Sequence, residues 1–216
     1  MFAFSILAVG FVRSQEHPGR TGLDSLLRDI YRKDQGIRQQ DPTVLASGNL
    51  DSILLQVRQM EAVDAENQKA IEKILRDGWP VNLSDTANKA IFLVIDHADL
   101  EFQKQYLGLV KEAADAGSLH VSDWATLNDR ILMEENKMQV YGTQTKTFMK
   151  FPEETSVSYL WPVEDADNLD ARRKEIGLPP VEDYLSLVKA YTGLEIIWDK
   201  TLTVEDILRE QNQKQE

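Results

Sequence analysis

Cysteine is absent from this 216-residue chain. That excludes disulfides, zinc–thiolate centres and thiol nucleophiles. Positive charge is scarce. Lys and Arg number 24 against 36 Asp and Glu, for a formal charge of −12, and no Lys/Arg run forms a basic patch. Nucleic acid and anionic membranes, whose affinity rests on cations neutralising phosphates, are therefore not expected as partners. Histidine is scarce too, and His97, with Asp96 and Asp99 beside it, has no second histidine at ligand spacing, so no metal is expected. Gly-x-Ser-x-Gly, a phosphate-cradling glycine loop and His-Glu-x-x-His are all missing, and no cofactor is called for.

Long apolar runs are also missing, with one exception. Phe2 to Val12 is apolar, of signal-peptide core length and too short to span a bilayer. It lacks a charged leader and a clean small-x-small exit. It reads either as a truncated export signal or as a buried strand or helix. Export to the periplasm or medium is preferred, with residues 1–22 forming signal remnant and linker. No later segment reaches transmembrane length without charges, so no stable membrane insertion is expected.

What is present is helical periodicity. Leu23, Leu26, Leu27, Ile30 and Tyr31 recur at three- and four-residue spacing, predicting an amphipathic helix to about Gln40, stopped by Asp41-Pro42. A longer helix is predicted from Asn49 or Asp51 to Arg76, closed by Asp77-Gly78-Trp79-Pro80. Ser84 is an N-cap signal. Ala87, Ala90, Ile91, Val94, Ile95 and Ala98 then predict the most buried helix. Asp99 opens another, closed by Ala116-Gly117, and Ser122 or Asp123 caps the next. From Gln139 the period changes. Val140, Tyr141, Phe148, Phe151, Val157, Tyr159 and Trp161 predict two extended segments turning at Pro152–Thr155. Short helices follow over Asp170–Ile176 and Glu182–Tyr191. The fold class expected is mainly α: one bundle-like domain over 23–200 with a small β-hairpin after the central helices, then a polar tail over 201–216.

Five landmarks carry a resemblance. They are Asp77-Gly78-Trp79-Pro80; Ile95-Asp96-His97-Ala98-Asp99 with Gln103; Asn128-Asp129-Arg130-Ile131; Gln139-Val140-Tyr141-Gly142-Thr143-Gln144; and Pro162-Val163-Glu164-Asp165 followed by Arg172-Arg173-Lys174-Glu175-Ile176-Gly177-Leu178. In order and spacing, from roughly Gln59 to Tyr184, the chain resembles a bacterial family known as a domain of unknown function. The resemblance implies a mostly helical domain and no particular activity.

The candidate site follows from the polar residues in these stretches. His97 falls on the side of Ala90 and Val94, facing inward or towards a groove edge. It is either a general acid/base or a hydrogen-bonded core histidine. Asp129 and Arg130 are adjacent, so their side chains diverge on a helix. Arg130 is expected to pair with an acidic residue of the fold, leaving Asp129 to the groove. Gln139, Tyr141 and Gln144 offer amide and hydroxyl groups, and Gly142 lets the backbone turn. Arg172 either holds an anion or pairs with Glu164, Asp165 or Glu175. The expectation is a polar groove lined by these residues that binds a small polar molecule or a peptide. One alternative is a hydrolase with His97 as acid/base and Asp129 orienting it. Another is an interaction module whose polar cluster is purely structural. An open pocket at His97 would separate the first two from the third.

Overall fold

The computed structural model describes residues 22–39, 50–150 and 155–212. The expectations for Phe2–Val12, the linker and Asp41-Pro42 lie outside these residues. So does most of the Pro152–Thr155 turn. The described part is mainly helical, with eight helices and a small three-stranded mixed sheet after the central ones. It falls into two compact units, one ending at His120 and the other beginning at Val121. Among the described residues, no helix is long and apolar enough to cross a membrane.

The N-terminal unit is all helix. α1 (Gly22–Arg38) buries Asp24, Leu27, Ile30 and Asp34, a single face at helical spacing. α2 spans Leu50–Ile74 and ends in a 3-10 turn over Leu75–Asp77. Gly78 follows at φ 97°, a backbone conformation that side chains disfavour. α3 (Asp85–Asp96) buries every residue from Ala87 onward except Lys89, its apolar residues running round the helix rather than along one stripe. Ser84 caps it, its Oγ accepting from Ala87 N at 3.3 Å. α4 (Leu100–Asp115) starts at Asp99, whose Oδ1 accepts from Phe102 N at 2.9 Å. Gln103 of α4 donates to the carbonyls of Asp96 and Ala98, which lie at the C-terminal end of α3, where carbonyls lack helical donors.

α1 packs on α3, and two of its carboxylates reach the two ends of that helix. Asp24 Oδ1 accepts from Ser84 N at 2.7 Å, at the start of α3. Asp34 Oδ1 lies 3.1 Å from Nδ1 of His97, the C-cap. The two helices therefore run parallel.

The C-terminal unit holds α5 (Val121–Glu134), β1 (Thr145–Lys150), β2 (Thr155–Leu160), α6 (Leu169–Glu175), α7 (Val181–Thr192), β3 (Ile196–Ile197) and α8 (Val204–Asn212). α5 starts at Val121, ahead of the expected cap at Ser122 or Asp123, and Asp123 is buried in its first turn. β1 and β2 are antiparallel, with Thr145 opposite Leu160 and Phe148 opposite Val157. β3 adds to β2 in parallel, extending the expected hairpin to a sheet in the order β1-β2-β3. Two residues are too few for period-2 alternation to announce a strand. Val140 and Tyr141, expected to be extended, precede the sheet, and Gln139 forms an isolated parallel bridge with Val163.

One core of this unit gathers Leu160, Val163, Leu169, Val181, Val188 and Ile196. The other gathers Met133, Phe148, Trp161, Val204 and Ile207. Within the stretch expected to be a polar tail, α8 buries Val204 and Ile207 in the cluster with Trp161. Burying side chains of this size stabilises a fold by about 1.5–3 kcal/mol each.

Candidate functional site

In the C-terminal unit, the stretch 139–144 is a loop gripped by side chains. Asp129, on α5, is 0% exposed. Its Oδ1 accepts from Val140 N at 2.8 Å and Tyr141 N at 3.1 Å. Its Oδ2 accepts from Tyr141 N at 3.1 Å, Thr143 N at 3.2 Å and Thr143 Oγ1 at 3.0 Å. Arginines from α6 take the carbonyls of the same peptide units. Arg172 Nε donates to Val140 O at 3.1 Å. Arg173 Nη1 donates to Tyr141 O at 2.7 Å and Gly142 O at 3.0 Å.

Gln139 closes the loop on itself. Its Oε1 accepts from Gln144 N at 2.8 Å, and its Nε2 donates to Gln144 O at 3.1 Å and Trp161 O at 2.7 Å. Gln144 Nε2 in turn donates to Thr126 O and Thr143 Oγ1. Gly142 sits at φ 65°, and a Cβ there would lie 3.2 Å from Leu169 Cδ2 and 3.8 Å from Arg173 Nη1. Glycine is thus favoured by conformation, and a side chain there would press on Leu169.

Asp129 has no cation among these partners. Burial pushes its carboxyl up to about 6, against the lowering effect of the Val140, Tyr141 and Thr143 donors. Burial lowers the Arg173 guanidinium, which lies 5.1 Å from the Tyr184 ring centre, and the nearby Tyr184, Asp170 and Asp129 oppose that effect.

Arg130, next on α5, is buried. Arg172 also donates to the carbonyls of Glu164 and Asp165 and pairs with the Asp165 carboxylate at 3.4 Å. The ring of Tyr141, a half-buried residue, packs edge-on to that of half-buried Trp124, with centroids 6.0 Å apart and planes at 69°.

His97 belongs to the N-terminal unit, and the carboxylate hydrogen-bonded to it is Asp34. Its side chain is 19% exposed and that of Asp34 is 1%. Arg38 Nη1 lies 2.9 Å from the same Asp34 oxygen, and Gln35 Nε2 donates to the other at 2.8 Å. Arg38 Nη2 also reaches both oxygens of Asp64, at 2.8 and 2.9 Å. Burial acts to raise the Asp34 carboxyl, but His97, Arg38 and Gln35 together hold it below the usual value.

Asp129, Gln139, Tyr141, Gln144 and Arg172 therefore converge on one loop, while His97 belongs to a charged cluster on α1, α2 and the end of α3. Reasoning from sequence passed over Asp34. The signal available was its place on the apolar face of α1 with Leu27 and Ile30, where a carboxylate needs a partner. Among the described residues, no group of three or more His, Asp or Glu is arranged to hold a metal ion.

No curated protein and no solved structure matches the chain. A family model does match, over residues 22–197, which takes in all five landmarks and both centres. The chain belongs to DUF6624, a family of unknown function.

Proposed function

We propose that the C-terminal unit is a binding module for a small polar molecule or a short peptide, with the 139–144 loop as its recognition element. One observation carries this reading. The loop backbone is held by Asp129 on its N–H side and by Arg172 and Arg173 on its C=O side, while Tyr141 and Trp124 are only partly buried and their rings meet edge-on. In this reading Asp129, Gln139, Gln144 and Arg172 form the support, and Tyr141 and Trp124 form the contact surface. A fixed backbone carries a fixed ring, so little order is lost when a ligand binds. Rings that combine an apolar face with a polar edge suit partly polar ligands.

The test is a titration of the labelled protein with polar small molecules and short peptides, read at the Trp124 indole and Thr143 amide resonances. A ligand that moves both, and binds Tyr141→Ala at least tenfold more weakly at unchanged melting temperature, supports the reading. Ligands whose affinity is indifferent to both Tyr141→Ala and Trp124→Ala contradict it.

A further inference from the structure

We propose that His97 is a proton-transfer residue and Asp34 the residue that positions it, a centre built wholly within the N-terminal unit.

Asp24 supplies the internal comparison. Both carboxylates lie on the buried face of α1, and both reach an end of α3. Asp24 does so through the backbone amide of Ser84, which is all that pinning a helix end requires. Asp34 instead meets the imidazole of His97, and Arg38 and Gln35 brace it. Arg38 is itself fixed by both oxygens of Asp64 and by the Asp34 carbonyl. A packing role for the end of α3 needs none of this.

The bracing decides the tautomer. An ionised carboxylate only accepts hydrogen bonds, and the Asp34 oxygens already receive Arg38 Nη1 at 2.9 Å and Gln35 Nε2 at 2.8 Å, donors that favour that form. Nδ1 of neutral His97 must then carry the hydrogen, and the lone pair lies on Nε2. The side chain is 19% exposed, so the ring is not sealed from solvent. When Nε2 takes up a proton, the new charge sits beside Asp34 and at the carbonyl end of α3. The groups facing this centre are Asp34, Gln35 and Arg38 from α1, with Asp64 from α2 behind Arg38.

The reaction this suits is hydrolysis of a polar substrate, with water as co-reactant. The water oxygen bonds to the electrophilic atom as its proton passes to Nε2. The bond to the leaving atom breaks, and the same proton passes from Nε2 to that atom.

The test uses the full chain with 15N-labelled histidine. Long-range 1H–15N spectra should show His97 as the Nδ1–H tautomer. Diethyl pyrocarbonate should modify His97 in the folded protein at a rate comparable to that of exposed His120. Asp34→Asn should bring in the Nε2–H tautomer and slow that modification severalfold, and Asp34→Glu should restore both. An Nε2–H tautomer in the unaltered protein overturns the proposal. So does a His97 that stays unmodified while His120 reacts. So does an Asp34→Asn protein that loses thermal stability but keeps tautomer and reactivity. Should Asp34→Asn not fold, the measurements on the unaltered chain and on Asp34→Glu decide alone.

Discussion

Asp34 and Asp129 are both carboxylates with almost no exposed surface, and the two units treat them in opposite ways. Asp34 is surrounded by side chains that carry or can carry positive charge, and its carboxyl is held below the usual value. Asp129 accepts from three backbone amides and a hydroxyl, and its carboxyl is pushed up to about 6. Neutral donors satisfy the oxygens without offsetting the loss of hydration that an anion suffers on burial. The difference separates two uses of a buried acid. Asp129 organises a backbone, and Asp34 engages a histidine through its Nδ1.

Removing the Asp129 carboxylate should give the largest effect. Asp129→Ala strands the Val140, Tyr141 and Thr143 amides, and each buried donor left unpaired costs about 1–3 kcal/mol. A loss of roughly 3–5 kcal/mol is expected in chemical denaturation. A loss below ~1 kcal/mol would mean that the loop is held by its other contacts.

The pH dependence should be next in size, and its sign separates the two acids. The Asp129 carboxyl is raised on folding, so its contribution to stability is complete below the unfolded value and is lost as pH rises through about 6. Asp34 is lowered, so its contribution is complete above the unfolded value and is lost as pH falls through its folded one. The neutral variant Asp129→Asn cannot titrate. Its stability deficit against the unaltered chain should therefore be wide near pH 4 and narrow by roughly 2 kcal/mol on going to pH 7. A deficit that widens over that range contradicts the account.

Arg38→Met removes the brace from Asp34 and Asp64. The Arg38 side chain is 21% exposed and Asp64 18%, so water takes over part of its role. Thermal denaturation should report a loss of roughly 1–2 kcal/mol, well short of the cost of unpairing a fully buried charge.

Gly142→Ala should cost about 1–2 kcal/mol, since it places a Cβ at positive φ and close to Leu169. The matched control is Gly193→Ala, at φ 71° with open space around it. It bears the conformational strain alone, so the difference between the two losses measures the steric part at Gly142.

The same two acids show what a sequence displays and what it hides. Helices were legible because their signals are local. Ser84 and Asp99 cap within three residues, and Gly78, Gly117 and Gly177 close at positive φ. The importance of 139–144 was legible too, from the crowding of Gln139, Tyr141, Gly142 and Gln144. The role of Asp129 was not, because its partners lie 11 to 14 residues downstream on backbone atoms that no side-chain pattern marks. Asp34 and His97 are 63 residues apart, and only the packing of α1 on α3 joins them. β3 was hidden by its length, and α8 by a tail whose composition is polar while its buried residues are Val204 and Ile207.

The central claim is that one buried carboxylate is kept charged by its neighbours while the other is not. Carbon-detected NMR of the two side-chain carboxyls through a pH titration tests it most directly. The account predicts that Asp129 titrates near 6 and that Asp34 titrates below the ordinary carboxylate range. Displacement of both in the same direction, or the reverse assignment, would contradict it.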